Sequence, residues 1–150
     1  MPQSLANVLI HIVFSTKDRS PQIGDFVRDD LHAFLAGTVR AANCQCLRVG
    51  GVADHVHLAI RLHRVVSVAA LVEDVKTASS KWLKPRHENL RAFAWQRGYA
   101  ALSFGPGEIQ SILEYIAEQE QHHRRDSFQA EYRALLEASG VPFDERYIWD

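Results

Sequence analysis

Two histidines separated by one residue stand in the run Asp54-His55-Val56-His57-Leu58-Ala59-Ile60-Arg61-Leu62. A β-strand sends successive side chains to opposite faces. Read as a strand, this run puts Val56, Leu58, Ile60 and Leu62 on one apolar face. His55, His57, Ala59 and Arg61 fall on the other. Side chains two apart on a strand can reach one cation together, and neutral imidazole is a common ligand for divalent metals. Three histidine chemistries can be compared with the pattern. A histidine-triad nucleotide hydrolase would place His at position 59, and a His-x-His-x-Asp hydrolase would place Asp there. The residue is Ala59. A two-histidine phosphodiesterase needs a second strand of His-x-Ser/Thr type, which the sequence lacks. His63 lies past the strand on the apolar parity and reads as a turn residue.

A second constellation lies in GEIQSILEYIAEQEQHHRR. Ile109, Ile112, Leu113 and Ile116 make a helical core stripe. Tyr115 and Gln119 are four residues apart, so they stack one turn apart at the margin of that stripe, with His122 on the same side. A phenol with an unperturbed pKa of about 10 is a poor nucleophile unless something activates it. The Gln119 amide oxygen is a candidate third ligand for a hard or borderline cation. By itself, Tyr115 reads equally as a half-buried amphipathic residue. The run His122-His123-Arg124-Arg125 suits either phosphate contact or a solvated helix end.

These groups need elements to hold them. Residues 6–15 and 45–50 are strand-like, and Gly50-Gly51 separates the second from the histidine strand at 54–62. Phe26, Val27, Leu31, Phe34, Leu35 and Val39 have helical spacing, with Asp25 as a candidate cap. Val68, Leu71, Val72, Val75, Ser79 and Trp82 form a second stripe, capped by Ser67 and ended at Pro85. Aromatic strand material covers 93–104. A helix follows Pro106 and Gly107 from Glu108 to about His123. A last helix runs from Phe128 to Ser139, with Asp126 and Gln129 as a capping box and Gly140 at its exit. The order β-α-β-β-α-β-α-α predicts an α+β fold whose first six elements are ferredoxin-like. Its antiparallel sheet has helices on one face and the other face open. The imidazoles would then sit on the open face.

The chain has 150 residues, one domain's length, with 47% hydrophobic and 23% charged residues. That is a globular composition, and residues 1–150 read as one domain without repeats or linkers. No uncharged apolar run approaches the ~18 residues that span a bilayer. The start MPQSLANVLIHIVF lacks a basic leader and a cleavage site, so a cytoplasmic location is expected. Cys44 and Cys46 lack a second cysteine pair for a metal site and would be strained as a bridge, so both read as free thiols. Net charge is −1, which argues against a uniformly basic nucleic-acid binder. The charge is uneven, however. Residues 61–97 carry +5 and residues 98–150 carry −6. The basic segment contains Trp82 and Trp95. Trp82 lies on an apolar stripe and reads as core, while Trp95 is left open.

Together these pieces resemble the single-tyrosine HUH transposases of the insertion-sequence-200-like group, which include the REP-associated tyrosine transposases. The resemblance rests on His55-Val56-His57 within GGVADHVHLAIRL, and on Tyr115 and Gln119 within YIAEQEQHH. KTASSKWL and FAWQRGYAALSF, in the same order along the chain, add to it. It implies a transposase in which Tyr115 attacks a DNA phosphate, giving a 5′-phosphotyrosine and a free 3′-hydroxyl. It further implies Mg²⁺ or Mn²⁺ held by His55, His57 and Gln119. The implied substrate is single-stranded DNA with hairpin-flanked ends. The implied assembly is a homodimer whose active sites pair the histidines of one chain with the tyrosine helix of the other. Candidate DNA contacts are Arg61, Lys76, Lys84, Arg86, Arg91, Arg97, His122 and Arg124. Basic side chains among aromatics suit backbone neutralisation and base stacking. Two alternatives stay open: a domesticated hairpin-binding protein with little or no turnover, and a structural homodimer whose histidines hold adventitious metal.

Overall fold

The computed structural model describes residues 2–150. Its strands are β1 (Val8–Ser15), β2 (Gln45–Gly51), β3 (His55–Leu62) and β4 (Ala100–Ser103). Its helices are α1 (Asp25–Ala41), α2 (Val68–Leu83), α3 (Ile109–Ala117), α4 (Gln119–His122) and α5 (Phe128–Ala138). The strands form one antiparallel sheet in the order β2-β3-β1-β4. This is the α+β, ferredoxin-like arrangement that the element order predicts.

The alternation in β3 is realised residue by residue. Val56, Leu58 and Ile60 join Ile10, Ile12 and Phe14 of β1 under α1 and α2. Those helices contribute Val27, Leu31, Leu35, Val39, Leu71, Val72, Val75 and Leu83 to the same core. Ser67 caps α2 by accepting a hydrogen bond from the Ala70 N–H. At α1 the cap is Gly24 and Asp25 is the first helical residue, where its charge meets the positive end of the helix dipole. At α5 the cap is Ser127, one residue later than the sequence suggests, because its hydroxyl reaches the Ala130 N–H. Gly140 leaves that helix at φ 68°, a conformation that favours glycine.

Two expected elements are shorter. Of residues 93–104 only Ala100–Ser103 pair as a strand, and Trp95 makes a lone bridge to Thr16. Between them, side chains take the backbone groups that a ladder would use. Gln96 Oε1 accepts from the Ser15 N–H at 2.8 Å, and Lys76 Nζ donates to the carbonyls of Gln96 and Gly98, each at 2.7 Å. The tyrosine helix breaks at Glu118 (φ −98°, ψ 20°). There the Gln119 side-chain amide donates to the Tyr115 carbonyl, the acceptor a continuing helix would offer to the backbone.

The main correction concerns the face expected to be open. It is covered by α3, α4 and α5, and both His55 and His57 are 0% exposed. Gly50 allows α3 to close over β2, since a Cβ there would lie 2.4 Å from the Ile116 carbonyl oxygen. On the other side of the histidines, Phe128, Tyr132 and Leu136 of α5 pack with Val13, Ala100 and Leu102 in a second apolar cluster. Cys44 and Cys46 are free thiols, as expected. Among the described residues no helix is long and apolar enough to cross a membrane.

Candidate active site

Antiparallel register sets the site's floor. Ser15 lies opposite His55 and Val13 opposite His57. The covering helices then bring Tyr115 from α3, Gln119 from α4 and Glu131 from α5 onto the imidazoles. Glu131 is the hub. Its Oε1 lies 3.1 Å from His57 Nε2, 3.2 Å from His55 Nε2 and 3.1 Å from His123 Nε2. Its Oε2 accepts hydrogen bonds from the Tyr115 hydroxyl and, at 3.2 Å, from Gln119 Nε2. Gln119 Oε1 is 3.0 Å from His55 Nε2. The four residues singled out by sequence, His55, His57, Tyr115 and Gln119, therefore meet in one place.

They meet within one chain. The Tyr115 ring is 5.7 Å from the His57 ring of the same chain, in an edge-on arrangement. The trans pairing of one chain's histidines with another's tyrosine, implied by the resemblance, would require the tyrosine helix to exchange between two such chains. Here the short α3–α4–α5 path folds the tyrosine back onto its own sheet.

The outward nitrogens of both imidazoles are also engaged. His55 Nδ1 pairs with Asp54 Oδ1 at 2.7 Å, and His57 Nδ1 with His11 Nε2 at 2.8 Å. Such partners fix ring orientation and leave Nε2 directed inward. Electrostatics follow from this packing. Burial lowers His11 to a pKa of about 3, so it is neutral. Burial also disfavours the His55 cation, but hydrogen bonds to Asp54 and Glu131 outweigh it and raise that pKa to about 9. His57 is lowered, chiefly by burial. Burial opposes ionisation of Glu131, yet its hydrogen bonds to His123, His55 and His57 hold it far below the usual carboxylate range. Tyr115 is pushed well above its ordinary value by burial and by the adjacent Glu131 carboxylate. Without a cation, the site is therefore an imidazolium–carboxylate cluster that keeps the phenol protonated.

The donor set suits a divalent ion. His55, His57 and Glu131 each offer a ligand atom within 4.8 Å of the others. Two imidazoles, one carboxylate and the nearby Gln119 amide oxygen fit borderline divalent metals. The sequence reading missed the carboxylate. A signal existed: Glu131 falls between Phe128 and Tyr132 on the buried stripe of α5, where a charge calls for a partner. His11, on the histidine-facing parity of β1, was a second missed signal.

The expected DNA contacts scatter. Arg61, at the far end of β3, is six residues or roughly 20 Å from His55 and bonds to Asn7 and Gln45. Lys76 is committed to backbone carbonyls, as described above. His122 packs its ring 4.7 Å from the Tyr115 ring. Arg124 and Arg91 are exposed. Lys84 and Arg97 line one groove beside α2. Arg86 stacks 3.8 Å over the Trp82 ring, whose neighbour at 5.0 Å is Phe34. Trp82 departs from its expected place in the core, and Trp95, left open by the sequence, is the buried indole. Trp95 is 8% exposed and donates to Ser79 Oγ at 2.9 Å, whereas Trp82 is half-buried at the surface.

Comparison with known proteins bears on this arrangement. A protein of Deinococcus radiodurans R1 assigned as a transposase has a similar crystal structure, with TM-score 0.62 and 20% identity over 79% of this chain and 98% of that one. A REP-associated tyrosine transposase bound to a REP hairpin is similar at TM-score 0.61 and 11% identity, over 82% and 72% of the two chains. At these identities the likeness is one of fold. No curated protein matches the sequence. The family model described as "Transposase IS200 like" matches residues 4–119, a span that includes β1, both strand histidines, Tyr115 and Gln119. The chain therefore belongs to the IS200-like transposase family, and DNA transposition is the function that membership supports.

Proposed function

We propose that this protein cleaves and rejoins single-stranded DNA at hairpin-flanked ends, with Tyr115 as nucleophile and a divalent cation, Mg²⁺ or Mn²⁺, held by His55, His57, Glu131 and Gln119. The observation that carries the reading is the convergence of the Tyr115 hydroxyl and two imidazole Nε2 atoms on one buried carboxylate. A phenol, a metal-ligating pair and a fixed acceptor within one hydrogen-bonded cluster suit phosphoryl transfer to tyrosine.

A bound divalent ion supplies Lewis-acid polarisation of a phosphate oxygen and neutralises charge developing on it. The chain's own groups do the rest. Asp54 and His11 hold the two imidazoles so that Nε2 of each faces the Glu131 carboxylate, where a divalent ion would be held. Glu131 Oε2 orients the phenol through its hydrogen bond. The Tyr115 oxygen forms the new bond to phosphorus, and the bond from phosphorus to the 3′ oxygen breaks. The phenolic proton is lost and the departing oxygen is protonated, leaving a 3′-hydroxyl and a 5′-phosphotyrosine. Since one phosphodiester replaces another, the reverse attack by a 3′-hydroxyl rejoins DNA without a nucleotide cofactor. Each chain seats Tyr115 on its own histidines, and exchange of the tyrosine helices in a homodimer would build the same site in trans.

The test is incubation with labelled single-stranded hairpin DNA and Mg²⁺ or Mn²⁺, followed by denaturing electrophoresis. A covalent protein–DNA band is expected, absent with chelator and absent in Tyr115→Phe. A band that survives Tyr115→Phe assigns the wrong nucleophile. Tight binding of the hairpin with no band under any metal would favour a domesticated hairpin-binding protein.

A further inference from the structure

The basic residues of the middle segment have no common surface in the sequence, but the fold gives three of them one. A groove of about 560 Å³ runs between α2 and the loop of residues 93–99. Lys81, Lys84 and Arg97 line it. All three are exposed, and none has an ion-pair partner among the described residues. The Thr77 and Ser80 hydroxyl groups lie along the same wall, and Glu73 is the single acid there. Tyr99, 37% exposed, adds an aromatic ring. Lys76 does a different job from the one its charge suggests. Its ammonium clasps the carbonyls of Gln96, Arg97 and Gly98 and so fixes the wall that carries Arg97.

That wall is tied to the candidate active site. The loop is anchored on the end of β1 through the Thr16–Trp95 bridge and the Ser15–Gln96 hydrogen bond. Ser15 itself lies directly across from His55. The groove lies on the α2 side of the sheet, and its loop wall meets the sheet at the strand end that carries His55 on the opposite face, so a strand leaving the site need only round that end. Three unpaired cations, two hydroxyl groups and an exposed ring make a surface complementary to a phosphate backbone with unstacked bases.

We propose that this groove binds the unpaired DNA strand that flanks the hairpin and continues from the scissile phosphate. The proposal rests on the transposase reading above. Lys81, Lys84 and Arg97 neutralise successive phosphates, Thr77 and Ser80 donate to them, and Tyr99 stacks on a base. The groove therefore adds Lys81 and Tyr99 to the DNA surface and removes Lys76 from it.

The experiment is fluorescence anisotropy in chelator, so that no cleavage intervenes. Two fluorescein-labelled DNA hairpins are compared, one with a single-stranded flank and one blunt. The combined Lys81→Ala/Lys84→Ala/Arg97→Ala variant is expected to lose on the order of tenfold in affinity for the flanked hairpin. Its slope of log Kd against log salt should fall by about one for each cation removed. Its preference for the flanked over the blunt hairpin should largely vanish. Tyr99→Leu should lose several-fold with the slope unchanged, because stacking releases no counterions. Arg40→Ala/Arg64→Ala removes two exposed cations elsewhere and should leave binding near wild type. Wild-type affinity and slope in the triple variant, or an equal loss in the Arg40/Arg64 control, would overturn the groove while leaving the transposase reading standing. Wild-type protein that binds neither hairpin would overturn both.

Discussion

The two faces of the sheet are built from the same strands by different physics. The face under α1 and α2 is apolar, and its contacts are interchangeable in kind. Leu, Ile, Val and Phe side chains fill volume, with periods of two in the strands and near 3.6 in the helices. The face under α3, α4 and α5 is a buried polar cluster in which His55, His57, Tyr115, Gln119 and Glu131 each have a specified partner. A packed apolar face tolerates a change in shape at a graded cost. A buried charge cluster fails when one partner goes, since the remaining charges are left without water. One face should therefore carry stability and the other reactivity, and substitutions should separate the two.

The largest separation is expected from Tyr115→Phe. Covalent adduct should drop to background on denaturing gels while the urea midpoint stays near wild type, because the ring remains packed beside His57 and His122. Next is Leu35→Ala on the apolar face, where the side chain is fully buried. It should cost about 2–5 kcal/mol in urea denaturation, with metal affinity unchanged in whatever fraction stays folded. A loss of metal affinity there would break the contrast between the faces. Glu131→Gln should do the reverse. Mn²⁺ affinity by calorimetry should fall by at least roughly the 10–100-fold seen when even a group supporting a metal ligand is lost, because here the ligating carboxylate itself becomes a neutral amide, while that amide keeps much of the shape and hydrogen bonding.

The smallest effect is a pH dependence of the metal-free protein. His55 is raised from 6.5 to about 9 in the folded state. A raised folded pKa means that the contribution is complete below the unfolded value and is lost as pH rises through the folded one. Chelated protein should therefore lose on the order of 1–3 kcal/mol between pH 6.5 and 9, and His55→Gln should flatten that window. A midpoint that is level across this range in the wild type would show that His55 holds no proton in the cluster.

The contrast also explains what could be read from the chain. The apolar face was legible because its rule is local. Ser67 capping α2 and the alternation from Val56 to Leu62 follow from neighbouring residues alone. The same alternation put His55 and His57 together, and one helical turn put Tyr115 beside Gln119. What hid was everything settled by long-range docking. Glu131 is 74 residues from His57, and no local period connects them. The histidine face looked open because a four-stranded unit of this type leaves it so, and only the packing of α5 through Phe128, Tyr132 and Leu136 closes it. Lys76 looked like a free phosphate ligand because its carbonyl partners lie on an irregular loop. The burial of Trp95 rather than Trp82 has a related cause. The helical stripe predicts direction, but the Ser79 hydroxyl that accepts from Trp95 decides which indole is buried.

The central claim is that Tyr115, seated on Glu131 beside the two strand histidines, forms the bond to DNA. The direct measurement is peptide mapping by mass spectrometry of the adduct trapped from hairpin DNA and Mn²⁺, after nuclease trimming. The account predicts a nucleotide phosphate on the peptide containing Tyr115, attached at that residue. Attachment at another tyrosine, such as Tyr99, Tyr132 or Tyr147, or at a serine or histidine, would contradict it.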